Sequence, residues 1–336
     1  MAFKTLCLFA FFFLVPAAYP AEADHYTVPE SEITDITSEL NSHANQLVQN
    51  ALNELNAVGG CGAAKEGFLG AGKSGEEKLY KALEKIFDIH GKSVLVDDIL
   101  DGRLPRRVIL LDDSVYRDWD ITSGFFLSRS QLTLSPNIKV GGLVIGVDKL
   151  EHMFGYGLKY FRRHYLSGME MGKVLRLGAG AEKVYLGGNI METGVFSYSD
   201  LAANFNGMRF WNAVLQKNDD ILGAGYNYGP YIICEKGKWK KNPEKPIDLS
   251  KYIDRTVQEN YNCSKFASRA GLDKFTSSLG KLGAERGDPE AFSCPVSPQS
   301  LEEAATKYRI SLGETTLDHW IINMEGSRTV SYTQEF

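Results

Sequence analysis

Residues 146–161 read GVDKLEHMFGYGLKYF, and residues 181–211 read AEKVYLGGNIMETGVFSYSDLAANFNGMRFW. In the first stretch and just beyond it, Leu150, Phe154, Leu158, Phe161 and Tyr165 recur at the three- and four-residue spacing that lines up one side of a helix. Asp148, His152, Gly155 and Lys159 fall on another side, so a carboxylate and an imidazole sit one turn apart, away from the main apolar stripe. In the second stretch Ser197 and Asp200 have the spacing of a capping box. They open a helix on which Asp200, Asn204, Gly207 and Trp211 share a face. Glu182 lies just upstream on the preceding helix, among small residues that allow close packing, and Glu192 falls in the turn. With Gly-rich turns between them, residues 147–218 are predicted to form three helices, and the chain is predicted to be mainly α.

The same spacing extends outward. Ile33, Ile36, Leu40, Ala44, Leu47, Val48, Ala51, Leu52 and Leu55 predict one or two amphipathic helices over 31–55. A Gly-rich break spans 59–75, and Leu79, Leu83, Ile86 and Phe87 predict a helix over 76–90 that Gly91 stops. Residues 106–113 are a short apolar run ending in acids. Residues 125–147 alternate and carry the Gly and Pro punctuation of a β-hairpin or extended segment. Beyond Leu222 the composition turns to Tyr, Gly, Pro, Lys and Cys, which predicts a loop-rich, disulfide-bearing region with a last helix over 300–308. The expected layout is an amino-terminal helical region (24–100), a central helical core (101–222) and this carboxyl-terminal region (223–336), together one compact domain.

The first 23 residues have the form of a secretory signal peptide: Lys4 near the start, an apolar run over 6–15, and Ala21-Glu22-Ala23 as a small-residue cleavage site. The mature chain is expected to begin near Asp24 and to lie in the periplasm or outside the cell. Its composition, 43% hydrophobic and 24% charged with a net charge of −5, is that of a globular protein and gives no basic signature for nucleic acid. No later stretch reaches the ~20 apolar residues of a membrane span. Of the five cysteines, Cys7 lies in the leader. Cys61, Cys234, Cys263 and Cys294 are left for two disulfides, with three pairings open.

Residues 67–74, GFLGAGKS, match the spacing of a phosphate-binding loop, and residues 108–112, VILLD, resemble the strand and acid that accompany it. The residues before the glycines do not form the buried strand such a loop requires, and ATP is not an expected cofactor.

Asp148, Lys149 and His152 on one helix, Glu182 on the next, then Ser197, Asp200, Asn204 and Gly207 opening a third, follow the order DKxxH, E, SxxDxxANxxG. In this the chain resembles the VanZ-like superfamily and related exported bacterial proteins of unknown function. The resemblance implies a helical arrangement that gathers His152, Glu182, Asp200 and Asn204. VanZ-like proteins carry these blocks on membrane-spanning helices, whereas Lys149, Arg162, Arg163, Lys173, Lys183 and Asn206 make the present helices too polar to span. Two functions are expected from these residues. The first is a non-catalytic envelope or secreted protein in which Asp148, Lys149, His152, Glu182, Asp200 and Asn204 form a buried polar network that fixes helix register. The alternative is a hydrolase-like or metal-assisted enzyme in which His152, Glu182 and Asp200 do the chemistry. Asp148, His152, Glu182 and Asp200 would then hold one divalent metal. The expected partner is an envelope glycan or another envelope protein.

Overall fold

The computed structural model describes residues 22–62, 74–87, 93–124, 134–288 and 292–326. Residues 1–21 of the expected leader lie outside them, as does most of the glycine-rich 67–74 segment. The fold is mainly helical, with short antiparallel strand pairs at its edges. In α1 (Thr37–Ala57), Leu40, Ala44, Val48 and Leu52 form the predicted buried stripe. Leu79, Leu83, Ile86 and Phe87 do the same in α2 (Gly75–Phe87), and α3 (Val94–Leu100) is capped by the Ser93 hydroxyl.

The predicted hairpin is β1 (Asn137–Val140) paired with β2 (Leu143–Gly146), in the register Asn137 to Gly146. Its two-residue turn is Gly141-Gly142, both at positive φ, as the twist of a tight hairpin demands. Strand β2 runs directly into α4 (Val147–Glu151). The helix then continues through a π turn (His152–Tyr156), α5 (Gly157–Phe161) and a second π turn (Arg162–Leu166). After α6 (Met171–Val184) and the short strand β3 (Val195–Phe196) comes α7 (Tyr198–Leu215), in which every residue from Tyr198 to Val214 is buried. Periodicity had suggested a polar face on this helix. The structure buries that face too, so its acid and amides must find partners inside the protein.

Helix α7 crosses the π turn and α5 at close range. A Cβ at Gly157 would lie 2.6 Å from the Gly207 Cα, and one at Gly207 would overlap the Met153 carbonyl oxygen. The Trp211 indole donates to the Phe154 carbonyl at 2.8 Å, which locks the crossing. Hydrophobic residues from Ile36 to Ile322 form one large cluster around α7.

The cysteine-bearing region contributes the hairpin β4 (Ile232–Glu235) and β5 (Lys238–Lys241), and β6 (Lys265–Phe266), which pairs with β3. It also holds α8 (Arg269–Arg286), α9 (Pro298–Ala305) and α10 (Leu317–Ile321). Helix α9 and the 3-10 turn after it (Thr306–Tyr308) fill the predicted 300–308 segment. Helix α8 carries Gly271, Gly280 and Gly283, which weaken its apolar pattern, and periodicity does not reveal it. Its Phe275, Leu279 and Leu282 join Tyr26, Val115, Tyr116, Trp119 and Phe266 in a smaller second core. The disulfides are Cys61–Cys234, which ties the end of α1 to the β4–β5 hairpin, and Cys263–Cys294. Among the described residues no helix is long and apolar enough to cross a membrane.

Candidate functional site

The site begins where β2 becomes α4. The Gly146 amide donates to His25 Nε2 at 3.0 Å, and the Asp148 amide donates to Ser135 Oγ at 2.9 Å. A Cβ at Gly146 would overlap the Asp148 carboxylate, so glycine is what lets this carboxylate fold back over the helix start. Next to it Lys149 turns inward and is 2% exposed. Its ammonium donates to Asp148 Oδ2 at 2.8 Å, Asp200 Oδ1 at 2.5 Å and Glu259 Oε1 at 2.6 Å. Three N–H groups thus meet three carboxylates, the full donor capacity of a lysine.

One turn further, His152 opens the first π turn. Such turns widen a helix by one residue per turn and recur at functional sites. His152 Nε2 lies 3.2 Å from Asp200 Oδ2, and Nδ1 lies 3.1 Å from Asn204 Oδ1. The imidazole stacks on the Tyr156 ring. Its side chain is 15% exposed against 4% for Asp200, so His152 stands at the mouth and the carboxylates behind it. The serine–aspartate cap forms as predicted from the Ser197 side: its hydroxyl accepts from the Asp200 amide at 3.2 Å. The Asp200 carboxylate bridges Lys149 and His152.

Glu182 enters from α6. Its Oε1 accepts from the Ser197 amide at 3.4 Å, while Oε2 is buried with no partner in the protein. Oxygen and nitrogen atoms of His152, Glu182 and Asp200 lie within 4.8 Å of one another, as do those of Asp148, Asp200 and Glu259. The first trio is open to a cation. The second surrounds the Lys149 ammonium, which already fills that role.

The expected residues therefore meet, with one correction. Asp148 does not join His152 in a single ligand set, because the charge of Lys149 draws it away; the carboxylate beside the imidazole is Asp200. Three further members escaped the sequence reading. Glu259 lies in a loop without periodicity. Glu22 and His25 lie at and beside the expected cleavage site, where the leader pattern masks them. Glu22 is buried, and its Oε1 accepts from the Thr193 hydroxyl at 2.5 Å. Ala23 is buried as well and bridges to Ser135, so Glu22 and Ala23 both belong to the described fold, whereas the expected cleavage after Ala23 would remove them. For the nucleotide motif, Val108 and Leu110 are exposed and do not form a buried strand. Ser74, the one residue of 67–74 that is described, receives a hydrogen bond from the Glu77 amide at the start of α2.

Five carboxylates, those of Glu22, Asp148, Glu182, Asp200 and Glu259, crowd one lysine. Burial disfavours the charge on Lys149, but Asp148, Asp200 and Glu259 outweigh it and hold its pKa well above the lysine range. Burial likewise disfavours the charge on Asp148, yet Lys149 keeps its pKa below the ordinary value. Glu182, Glu22 and Glu259 go the other way. Burial, then repulsion from Asp200, pushes Glu182 well up, and burial, then Glu259 and Asp200, does the same to Glu22. Burial raises Glu259 to about 7 despite the pull of Lys149, and burial followed by the Lys149 charge lowers His25 to about 3. Neutral His25 accepts at Nε2, so its proton sits on Nδ1, 4.0 Å from Glu259 Oε2. Buried oxygens of Glu22, Asp148, Glu182 and Glu259 are each left without a partner in the protein. The cluster thus holds more negative capacity than its fixed cation can neutralise, and the excess is met by protons or by an added cation.

No protein-family model, curated protein or solved structure matches the chain.

Proposed function

We propose that this is an exported, hydrolase-like protein whose working edge is His152, Glu182 and Asp200 holding one divalent cation. In this reading the Lys149 knot behind that edge is the scaffold that fixes it. The observation that carries the reading is Glu182 Oε2: a fully buried oxygen without a partner, in a trio spaced for a shared ion whose His152 is partly exposed. If His152 is neutral with Nδ1–H donated to Asn204 Oδ1, its Nε2 lone pair faces the Asp200 carboxylate, an unfavourable pairing that a proton on Nε2 or a cation between them relieves. A cation bound there would also polarise a water molecule, with Glu182 placed to exchange its proton. Two disulfides fit an oxidising compartment, and the substrate class put forward is an envelope glycan.

A second reading, a purely structural network, is favoured by Asn204. Its Nδ2 and the Tyr160 hydroxyl are buried without partners, and the two side chains are close enough to interact. Exchanging the oxygen and nitrogen of this amide lets Oδ1 accept from Tyr160 and Nδ2 donate to His152 Nδ1. His152 Nε2–H then donates to Asp200, and no ion is needed. The two readings separate on metal uptake. Zn²⁺ or Mn²⁺ titrated into the full chain, followed by elemental analysis after desalting, is expected to leave one equivalent bound. Glu182→Gln should abolish this while shifting the melting temperature by no more than a few degrees. A folded wild-type protein that retains no metal would sink the first reading, and a nitrogen-15 spectrum showing Nε2–H on His152 would establish the second.

A further inference from the structure

The outward side of α1 carries Asn41, Asn45, Gln49, Asn53 and Asn56 in one stripe, and the whole helix contains no Lys or Arg. Across from it stands the β4–β5 hairpin. Residues 235–245 hold five lysines against two glutamates, in a chain whose net charge is −5; Lys240 pairs with Glu235, and Lys238 donates to the Asn56 carbonyl. Between the two walls runs a groove of about 740 Å³ lined by Gln49, Asn53, Asn56, Lys238, Lys240 and Lys241 among others.

Part of the stripe is structural. Asn41 and Asn45 bind the backbone at residues 247–249, and Asn56 exchanges two hydrogen bonds with the Trp239 backbone. The Cys61–Cys234 bond holds the same two walls together. Gln49 and Asn53 do none of this work; they bond one another at 2.9 Å on the exposed side. The groove is thus a braced frame with an amide floor, and its lysines stand on one wall.

We infer that this groove binds an acidic polysaccharide. Amide side chains each offer a donor and an acceptor, which suits the paired hydroxyls of a sugar ring, and the lysine wall suits a carboxylate or similar anion on the same chain. Trp239 lines the groove but is 4% exposed, so the described residues offer no open aromatic face there for nucleic-acid bases to stack on. A lipid surface would be met by the lysines alone and would not read the amide floor. The inference is independent of the His152–Glu182–Asp200 edge, and either can fail without the other.

The test uses the full chain and calorimetry with polygalacturonate oligomers, with neutral dextran and phosphatidylglycerol vesicles as the other arms. Polygalacturonate should bind, and dextran should bind more weakly. Lys241→Glu and the pair Gln49→Ala/Asn53→Ala should each weaken polygalacturonate binding about tenfold, a loss of roughly 1.4 kcal/mol. These side chains lie at the surface, and circular dichroism would confirm that the variants fold. Absence of polygalacturonate binding overturns the inference. So does binding that Gln49→Ala/Asn53→Ala leaves unchanged, or a preference for the vesicles.

Discussion

Helix α7 carries two buried charge clusters, one near each end, and they are built on different arithmetic. Toward its carboxyl end Arg209, fully buried, donates through Nε to both oxygens of Asp220 at 3.0 Å and through a terminal nitrogen to Asn206 at 2.7 Å. Tyr226, Tyr228 and Tyr252 surround the guanidinium. Burial opposes its charge, but Asp220 prevails and raises its pKa. One cation meets one carboxylate among aromatic faces; one terminal nitrogen of the guanidinium has no hydrogen-bond partner, but no carboxylate oxygen is left over. At the amino end one ammonium faces five carboxylates, and oxygens are left over. Both clusters fix the register of α7, but only the second keeps capacity for a proton or an ion. A matched pair is a fastening, whereas an overloaded one can exchange something with its surroundings.

That contrast can be broken by substitution. Lys149→Met leaves Asp148, Asp200 and Glu259 buried without their cation, and chemical denaturation should show a loss of about 3–5 kcal/mol or outright failure to fold. Arg209→Met should cost a similar amount by stranding Asp220, but Arg209→Met/Asp220→Leu should recover most of it, because a matched pair can be replaced by apolar groups of like volume. Adding Asp200→Leu to Lys149→Met should not give a comparable rescue, since the other carboxylates remain; full rescue there would erase the distinction drawn between the two clusters.

The next effect is one of pH. His25 is neutral in the fold down to about pH 3 but takes up a proton near 6.5 when unfolded. Between these values the unfolded chain binds more protons, so stability rises with pH across that window and the contribution is fully present above it. His25→Gln should flatten this slope, measured as unfolding free energy at pH 4 and pH 6.5. Glu259 acts in the opposite sense. Its raised pKa of about 7 means that the folded state holds the extra proton, and stability falls as pH climbs from the ordinary glutamate value through 7. The smallest expected change is Glu182→Gln, which puts a neutral amide in place of a carboxyl that burial and Asp200 dispose to keep its proton, and should shift stability by less than about 1 kcal/mol in either direction. The corresponding change at the matched pair, Asp220→Asn, should be clearly destabilising.

Much of this architecture was legible before any coordinates. Helices α1 and α2 follow from apolar spacing, and the hairpin follows from its paired glycines. The gathering of His152, Glu182, Asp200 and Asn204 was what the resemblance in the order DKxxH, E, SxxDxxANxxG implied, and helical spacing by itself did not bring the three helices together. Three things stayed hidden for physical reasons. Glu259 reaches Lys149 from an aperiodic loop 110 residues away, and only long-range packing creates that contact. Glu22 and His25 sit at the edge of a pattern whose own logic is export. The split of the acids into two groups depends on which way the Lys149 side chain turns, and helical spacing alone does not decide that.

The cross-link between Cys61 and Cys234 spans 173 positions in the sequence. Asp148, Lys149, His152, Glu182 and Asp200 all lie inside the covalent ring it closes, whereas Glu22, His25 and Glu259 reach the cluster from outside. A protease that nicks the backbone once within the ring leaves a single molecule on a non-reducing gel, and only a thiol reagent frees the fragments.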